Sequence, residues 1–470
     1  MIDTPLFLSS ADVFRWLSRF INLEQGQTPN SFRPERMEIL TALAGHPEKS
    51  APVIHVAGSK GKGSVTGMIA SVLDAAGLKT ARYLSPHVTE YRERITLGDK
   101  FFDESLYLDA GNELRAIADT LTDKSKSEYR LFNADTEGGE GPTFFELLTL
   151  YFFLCARRGQ CDAMVVETGM GGRLDPTNVV DPVASVITVI ELEHTEFLGN
   201  TLAAVAGEKA GIIKAHKPLI LAEQSPEALK VFIKTAADRG SPLWYFPDLA
   251  SIKNLKIHQR GTDFTLLFRK PGEKAVPQEL SIAIPGQVQA ENAGLAVLAL
   301  KAAFPFISDG IIRRGLKNFK LPARFERIRD DPPVIIDGAH TPKSVELCVN
   351  TFTSLYGTGG ILIFGCAAGK NAEAMARLLL PCFSRVVITT PGTFKVSDPE
   401  QVYGIFTGVL QSKGMEPGSV VFIKETEKAI RFVMDQSREQ GLAVLGIGSF
   451  YLAAEIRALA ASQAGDRRKG

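Results

Sequence analysis

The stretch HVAGSKGKGSVTGMIASVL, His55 to Leu73, decides the fold that the sequence predicts. It begins in an apolar run typical of a short buried strand and ends in an apolar pattern with helical spacing. A glycine-rich turn between a strand and a helix can surround a phosphate with backbone N–H groups, and the helix N-terminus and a lysine add positive charge. The turn predicted to do this contains Gly58, Lys60, Gly61, Lys62, Gly63 and Ser64.

The spacing of this turn differs from that of the common phosphate-binding loop, which has a longer spacer before its Gly-Lys pair. Only Ser59 and Lys60 separate Gly58 from Gly61. The alternative is a plain strand-to-helix turn made flexible by its glycines. Two neighbouring lysines repel each other unless an anion lies between them, and this favours a phosphate-binding loop of a shortened kind.

Apolar strands alternate with amphipathic helices over most of the 470 residues. The alternation predicts an α/β protein with a mostly parallel sheet covered by helices on both faces. Between 243 and 284, alternating polar and apolar residues predict an antiparallel hairpin or small sheet. The charged, proline-punctuated segment 320–333 predicts a linker. We therefore expect a P-loop-type domain over 1–319 and a smaller Rossmann-like α/β domain over 334–470.

Composition excludes several classes of protein. The chain has 53 basic and 53 acidic residues, which argues against a broad nucleic-acid-binding surface. Its N-terminus carries Asp3 and Asp12 and lacks the pattern of a signal peptide, and the longest apolar run, 144–156, is too short to span a bilayer. Five cysteines without paired spacing indicate reduced thiols. We expect a cytoplasmic protein that binds small molecules and neither nucleic acid nor membrane.

Three polar residues follow the predicted strands that neighbour the loop: Ser85, Glu167 and His194. The carboxyl ends of parallel strands meet at one edge of a sheet, where ligands bind. A hydroxyl, a carboxylate and an imidazole are possible ligands of a Mg²⁺ ion that holds nucleotide phosphates, with waters completing the octahedron. Each of the three residues, taken alone, is also compatible with a polar surface loop, and for the histidine alone the surface loop is the favoured interpretation.

The order and spacing of several motifs resemble those of the folylpolyglutamate synthase and dihydrofolate synthase family, relatives of the Mur ligases. The resemblance runs over nearly the whole chain. It rests on HVAGSKGKGS, YLSPHVTEYRERI, GPTFFELLT, ETGMGGRLDPTNV, EHTEFLG, EKAGIIK, LPARFERI, DGAHTP and GSFYLAAEIR.

The resemblance implies an ATP-dependent ligase that adds L-glutamate to a folate or dihydropteroate carboxylate through an acyl phosphate. It implies that the second domain binds glutamate, at His340 and Ser449, and that Lys62, Lys209 and His194 are catalytic. It implies two Mg²⁺ sites, built from Ser85, Glu167, His194 and a carbamylated Lys209. The ATP-binding positions that it implies are Gly58, Gly61, Lys62, Gly63, Ser64, Asn292, Arg324 and Asp337.

The chain departs from the family's pattern at Ser59 and Lys60, at Glu191 and Glu193, at Thr341, and in the segment that contains Lys370. Glu193 replaces an aspartate and so reaches one methylene further. Two other functions stay open, a Mur-type ligase for another amino acid and a nucleotide-binding switch without catalysis. The sequence leaves the acceptor undecided, and the family implies a monomer.

Overall fold

The computed structural model describes residues 6–22, 33–121, 127–132, 141–269, 273–392, 396–412, 414 and 418–466. The strands are β1 Val53–Ala57, β2 Thr80–Tyr83, β3 Ile95–Leu97, β4 Ala163–Glu167, β5 Ala184–Ile187, β6 Leu219–Leu221, β7 Leu243–Tyr245, β8 Ala250–His258, β9 Gly261–Phe268, β10 Val276–Ile282, β11 Glu326–Asp330, β12 Pro333–Ile336, β13 Gly360–Phe364, β14 Phe383–Ile388, β15 Val420–Phe422 and β16 Val444–Ile447. The helices are α1 Ser10–Leu17, α2 Pro34–Leu43, α3 Lys62–Ala75, α4 Glu104–Thr120, α5 Phe144–Arg158, α6 Thr195–Leu198, α7 Leu202–Ala210, α8 Pro226–Asp238, α9 Phe246–Leu249, α10 Gln287–Ala303, α11 Asp309–Asn318, α12 Pro342–Tyr356, α13 Ala372–Leu379, α14 Pro399–Ser412, α15 Thr426–Gln440 and α16 Phe450–Asp466.

The first domain is built on a seven-stranded sheet of order β3-β2-β4-β1-β5-β6-β7. Every pair is parallel except β2 with β3. The central strands β1, β4 and β5 are buried throughout, which explains their continuous apolar runs. The predicted mostly parallel sheet is therefore confirmed. In register, Val56 pairs with Glu167 and Ala57 with Ile187, so the loops after these three strands begin at one edge.

Helices cover both faces of this sheet. On one face α3 contacts α10 and α11, and its side chains share a large apolar core with theirs. On the other face α5 is buried along nearly all of its length and joins α1, α2 and α4 in a second core. In the described part of the chain, no helix is both long enough and apolar enough to cross a membrane.

A three-stranded antiparallel sheet of order β10-β9-β8 follows the parallel sheet. It lies inside the segment 243–284 for which the sequence predicts such a structure. The antiparallel sheet begins later in the chain than expected, because Leu243–Tyr245 forms β7 at the edge of the parallel sheet. The side chains of β7 are only half-buried at this edge, and its three residues are too few to show the continuous buried run of the central strands.

The second domain has a six-stranded sheet of order β11-β12-β16-β13-β14-β15, parallel except for β11 with β12. The prediction of a linker over 320–333 is wrong in part, because Glu326–Asp330 forms β11. Its charged residues, ERIRD, are half-buried or exposed at the edge of the sheet and so read as a polar loop. The domain boundaries at 319 and 334 stay predictions.

Candidate active site

The predicted phosphate loop joins β1 to α3, and its glycines are required by close contacts. Gly58 has a φ of +145°, and a Cβ atom there would overlap the Thr188 hydroxyl. Gly61, which immediately precedes α3, has a φ of +90°, and a Cβ atom there would lie 2.5 Å from Asn292 Oδ1. Within the described residues no side chain caps α3, so its first N–H groups are available to an anion.

The segment 189–191, which follows β5, hydrogen-bonds to this loop. The Ser59 N–H donates to the Val189 carbonyl at 2.9 Å, and the Ser59 hydroxyl donates to the Glu191 carbonyl at 2.9 Å. These two bonds fix the shape of the loop between β1 and α3. They do not involve the backbone N–H groups of Gly61 and the residues that follow it. Ser59 therefore explains how a loop shortened by two residues keeps a fixed shape.

Two lysines converge on one carbonyl of the loop. Lys62 Nζ and Lys209 Nζ each donate to Gly58 O at 2.9 Å, and Lys209 Nζ also lies 2.8 Å from Glu193 Oε1. Lys209 is buried, and burial together with the charge of Lys62 lowers its pKa to about 8, against the opposing effect of Glu193. Burial acts to raise the pKa of Glu193, but Lys62 and Lys209 outweigh it and the pKa lies below its usual value.

Glu167, at the end of β4, faces the same loop. Its Oε2 accepts from the Ser85 N–H at 3.4 Å and would lie 3.4 Å from a Cβ atom on Gly63. Burial raises the pKa of Glu167 to about 7, although Lys62 and the Ser85 N–H oppose this. The structure thus brings Ser85 and Glu167 together beside Lys62, as the positions of the strand ends predict.

His194 lies on the wall of the cleft, beside Glu193 and just before the short helix α6. Its ring is open to the cleft, yet the surrounding protein lowers its pKa by partial burial, with Glu193 opposing and Lys62 adding to the effect. Within the described ranges, no group of three or more His, Cys, Asp and Glu side chains is placed to hold a metal ion alone.

The second domain supplies the facing wall. Arg324 stacks over the ring of Phe450 at 4.3 Å and is attracted by Asp337 and Glu167. The Asp337 carboxylate accepts from the N–H groups of Phe325 and Ala339, both at 2.7 Å, and so fixes the turn that carries Arg324. Burial raises the pKa of Asp337, with Arg324 opposing. Asn292 lies across from this wall, against Gly61.

His340 and Ser449 lie at the ends of β12 and β16. His340 Nδ1 is 2.7 Å from the Gly338 carbonyl, which can only accept, so Nδ1 donates and Nε2 keeps its lone pair. Burial lowers the pKa of His340 to about 4, so the ring is neutral at pH 7. The Ser449 hydroxyl accepts from the Tyr451 N–H at 3.1 Å. Thr341, one of the departures from the family's pattern, caps α12 through its bond with Ser344.

These elements enclose one cleft of about 2060 Å³ between the two domains. Among the predicted residues, Gly58, Ser64 and Lys209 lie behind its wall rather than on it. Lys60 and Lys370 line it, and the charge of each lowers the pKa of His340. The sequence shows both lysines only as departures from a motif, and their position in the cleft depends on how the domains meet.

Comparisons with known proteins agree with this arrangement. The chain matches the Mur ligase middle domain over residues 115–300 and the Mur ligase glutamate ligase domain over residues 323–450. The fold and the cleft thus define an ATP-dependent ligase of the Mur ligase superfamily.

The relatives define the family more narrowly. The chain is 31% identical to the dihydrofolate synthase/folylpolyglutamate synthase of Bacillus subtilis, over 90% of this chain and 93% of the relative. The solved folylpolyglutamate synthase of Thermotoga maritima matches with a TM-score of 0.79 and 28% identity, over 97% of each chain. That of Mycobacterium tuberculosis, complexed with ADP and AMPPCP, matches with a TM-score of 0.81 and 25% identity, over 96% of this chain and 98% of the other. The chain belongs to the folylpolyglutamate synthase and dihydrofolate synthase family.

Proposed function

We propose that this chain uses ATP to join L-glutamate, through an amide bond, to a carboxylate of dihydropteroate or of a folate. One observation carries the proposal: the Gly61–Lys62 loop of the first domain and His340 of the second line the same cleft. The reaction needs a phosphate donor and an amine to meet at one acceptor carboxylate. A nucleotide-binding switch has no need of the second wall.

ATP is proposed to lie with its phosphates on the loop and the start of α3. Lys62 Nζ is bound to the loop's own carbonyl at 2.9 Å and can turn to a phosphate oxygen without leaving the cleft. Arg324 approaches from the other domain, so the nucleotide would be held from both sides. Asn292 borders the loop at Gly61. The charges of Lys62 and Arg324 would offset that of the phosphates.

The residues present fit magnesium held jointly with phosphates. The Glu167 carboxylate faces the loop and accepts from the Ser85 N–H. Mg²⁺ keeps several waters and takes few protein ligands when phosphates share it, so such a sparse donor set suffices. When bound, the ions would neutralise charge that develops on the transferred phosphoryl group. The second site would draw on His194 and Lys209.

We propose that Lys209 is carbamylated in the active protein. As an ammonium it would repel Mg²⁺, whereas a carbamate offers an anionic oxygen. Its amine lies 2.8 Å from Glu193, and a carbamate would repel that carboxylate, so the ion pair has to open first. Glu193, which already lines the cleft, would then no longer be paired with Lys209.

The chemistry follows from the two walls. An oxygen of the acceptor carboxylate attacks the γ-phosphorus, the bond to ADP breaks, and an acyl phosphate forms. The glutamate ammonium gives one proton to water, and the resulting amine attacks the carbonyl carbon. The tetrahedral intermediate then expels phosphate, and the second nitrogen proton goes to the leaving phosphate. His340 Nε2 and the Ser449 hydroxyl are proposed to orient glutamate, because a neutral imidazole with a free lone pair accepts from its amino group.

The test measures phosphate release from ATP with dihydropteroate or tetrahydrofolate and glutamate together, and with each substrate alone. We expect release above background only with both substrates and a product heavier by one glutamate residue. With ¹⁸O-labelled acceptor carboxylate, label in the released phosphate reports the acyl phosphate. Release without a new amide product, or none at all, contradicts the proposal and favours the nucleotide switch.

A further inference from the structure

Outside the residues that line the cleft, Arg457 of α16 contacts carboxylates from two separate parts of the chain. Its Nε lies 3.1 Å from Glu326 Oε1, at the start of β11. Its Nη1 lies 4.0 Å from Glu93 Oε1, in the first domain. The three side chains are 37%, 24% and 18% exposed, so the cluster is partly shielded from water.

The first carboxylate controls the turn that carries Arg324. The other oxygen of Glu326 accepts from the Ala323 N–H at 2.8 Å and so closes the turn over Arg324. Ala323 and Phe325, on either side of Arg324, have φ values of +51° and +42°. Left-handed backbone at two non-glycine residues costs energy and persists only where neighbouring groups hold it. Glu326 is one of the groups that do so.

The second carboxylate controls the segment that follows Ser85. Glu93 accepts from the Val88 N–H at 2.6 Å and from the Thr89 N–H at 3.1 Å, which closes this segment into a compact loop. The Val88 side chain packs against the apolar core of the second domain. The loop therefore belongs to the first domain by sequence but rests on the second.

We propose that Arg457 is a positioning residue that couples closure of the two domains to the geometry of the reaction. A planar guanidinium can serve two carboxylates at once, and here one of them fixes the Arg324 turn and the other fixes the loop beginning at Ser85. Closure would thereby bring two groups into position at the same time: Arg324, the cation proposed to contact ATP, and the loop beginning at Ser85, which is proposed to bind metal. The inference rests on the proposed function, which gives Arg324 and Ser85 their roles.

The experiment compares Arg457→Met, which keeps an apolar stem without the charge, with Arg457→Lys and with Arg431→Met. Arg431 is a matched control, since it forms an exposed pair with Glu427 in the same domain. Because partly exposed ion pairs contribute modestly, we expect Arg457→Met to lower kcat/KM for ATP by about three- to tenfold. Arg457→Lys should restore part of it, and Arg431→Met should leave it unchanged.

A double-mutant cycle with Glu93→Gln separates coupling from a local effect. We expect Glu93→Gln, whose amide oxygen can still accept from the Val88 N–H, to cost less in Arg457→Met than in the wild type, because the pair is already broken. Fully additive losses, or an Arg457→Met protein that behaves like Arg431→Met, overturn the inference.

X-ray scattering with and without AMPPCP measures closure independently of turnover. Arg457→Met should reduce the AMPPCP-induced decrease in radius of gyration. If the decrease in Arg457→Met equals that of the wild type, the inference is contradicted, whether or not the chain has ligase activity. If the wild type closes on AMPPCP but has no ligase activity, only the proposed function is contradicted.

Discussion

At the scale of single residues, the site depends on charged side chains that bond to the same few atoms. Lys62 and Lys209 meet at Gly58 O, and Glu193 balances part of their charge. Removing Glu193 would leave two buried or half-buried cations facing each other. The loop that is proposed to bind the phosphates of ATP thus also fixes the position of Lys209.

The first prediction concerns Lys209. Lys209→Ala should lose most ligase activity, and formate should restore part of it by supplying the missing anionic oxygen near the proposed metal site. Lys217→Ala is the control, since Lys217 forms a half-exposed pair with Asp181. Initial rates of phosphate release with and without formate give the readout, and full activity of Lys209→Ala contradicts the carbamate.

A second residue-scale prediction concerns acid stability and His55 in β1. Thr177 Oγ1 donates to Asp175, so His55 Nε2, 2.8 Å from that oxygen, is the donor. Burial lowers the pKa of His55 to about 3, far below the unfolded value, so the unfolded chain binds the extra proton first. Between pH 7 and pH 5 this group should cost about 2 kcal/mol of the free energy of unfolding.

Chemical denaturation at several pH values measures this effect. In His55→Asn, which can still bond to Thr177 but does not titrate, the fall in stability between pH 7 and pH 5 should be smaller by that amount. Equal pH dependence in the two proteins would show that His55 already titrates normally in the folded state.

At the scale of elements, the loop between β1 and α3 is shaped by its neighbours as much as by its own glycines. Thr188 leaves room only for glycine at position 58, and Asn292 does the same at position 61. The segment 188–191 then fixes the loop through Ser59. A change in any of these partners is therefore expected to alter phosphate binding.

Gly58→Ala tests this dependence. The positive φ and the contact with Thr188 make alanine strained there by about 1–3 kcal/mol, so AMPPCP should bind about tenfold or more weakly. Gly404→Ala, in helix α14, is the control because a Cβ atom there meets nothing within 4 Å. Isothermal titration calorimetry supplies the dissociation constants, and equal affinity in Gly58→Ala and the wild type contradicts the role of the glycine.

At the scale of the whole molecule, the cleft exists only where the two domains meet. The loop, Ser85 and Glu167 come from one sheet, and Arg324, His340 and Ser449 come from the other or from the turn before it. A ligand that fills the cleft should therefore stabilise both domains together.

Thermal unfolding with AMPPCP and Mg²⁺ tests this expectation. At a ligand concentration about 100 times the dissociation constant, binding to the folded state should add about 2.7 kcal/mol to the free energy of unfolding. Lys62→Met should lose most of that gain, whereas Lys234→Met, which breaks an exposed pair in α8, should keep it. A rise in Tm of equal size in Lys62→Met would remove that lysine from the nucleotide site.

The sequence by itself determined the parallel sheet, the glycine-rich turn between β1 and α3, and the edge at which Ser85 and Glu167 gather. These features follow from short-range patterns, since burial of a central strand dictates its apolar run and a tight turn dictates its glycines. Motif order then indicated residues such as Arg324 and His340 through resemblance. It did not show β11, whose charged residues resemble a loop.

Only the tertiary structure decided which distant groups touch. The pairing of Lys209 with Glu193, the stacking of Arg324 on Phe450 and the bridge from Arg457 to Glu93 join residues that no local pattern links. The physical reason is that the energy of a charge depends on the partners and the water around it, and these are set by how helices and sheets pack. The sequence shows which charged residues are present, and the packing of the helices and sheets determines which groups they contact.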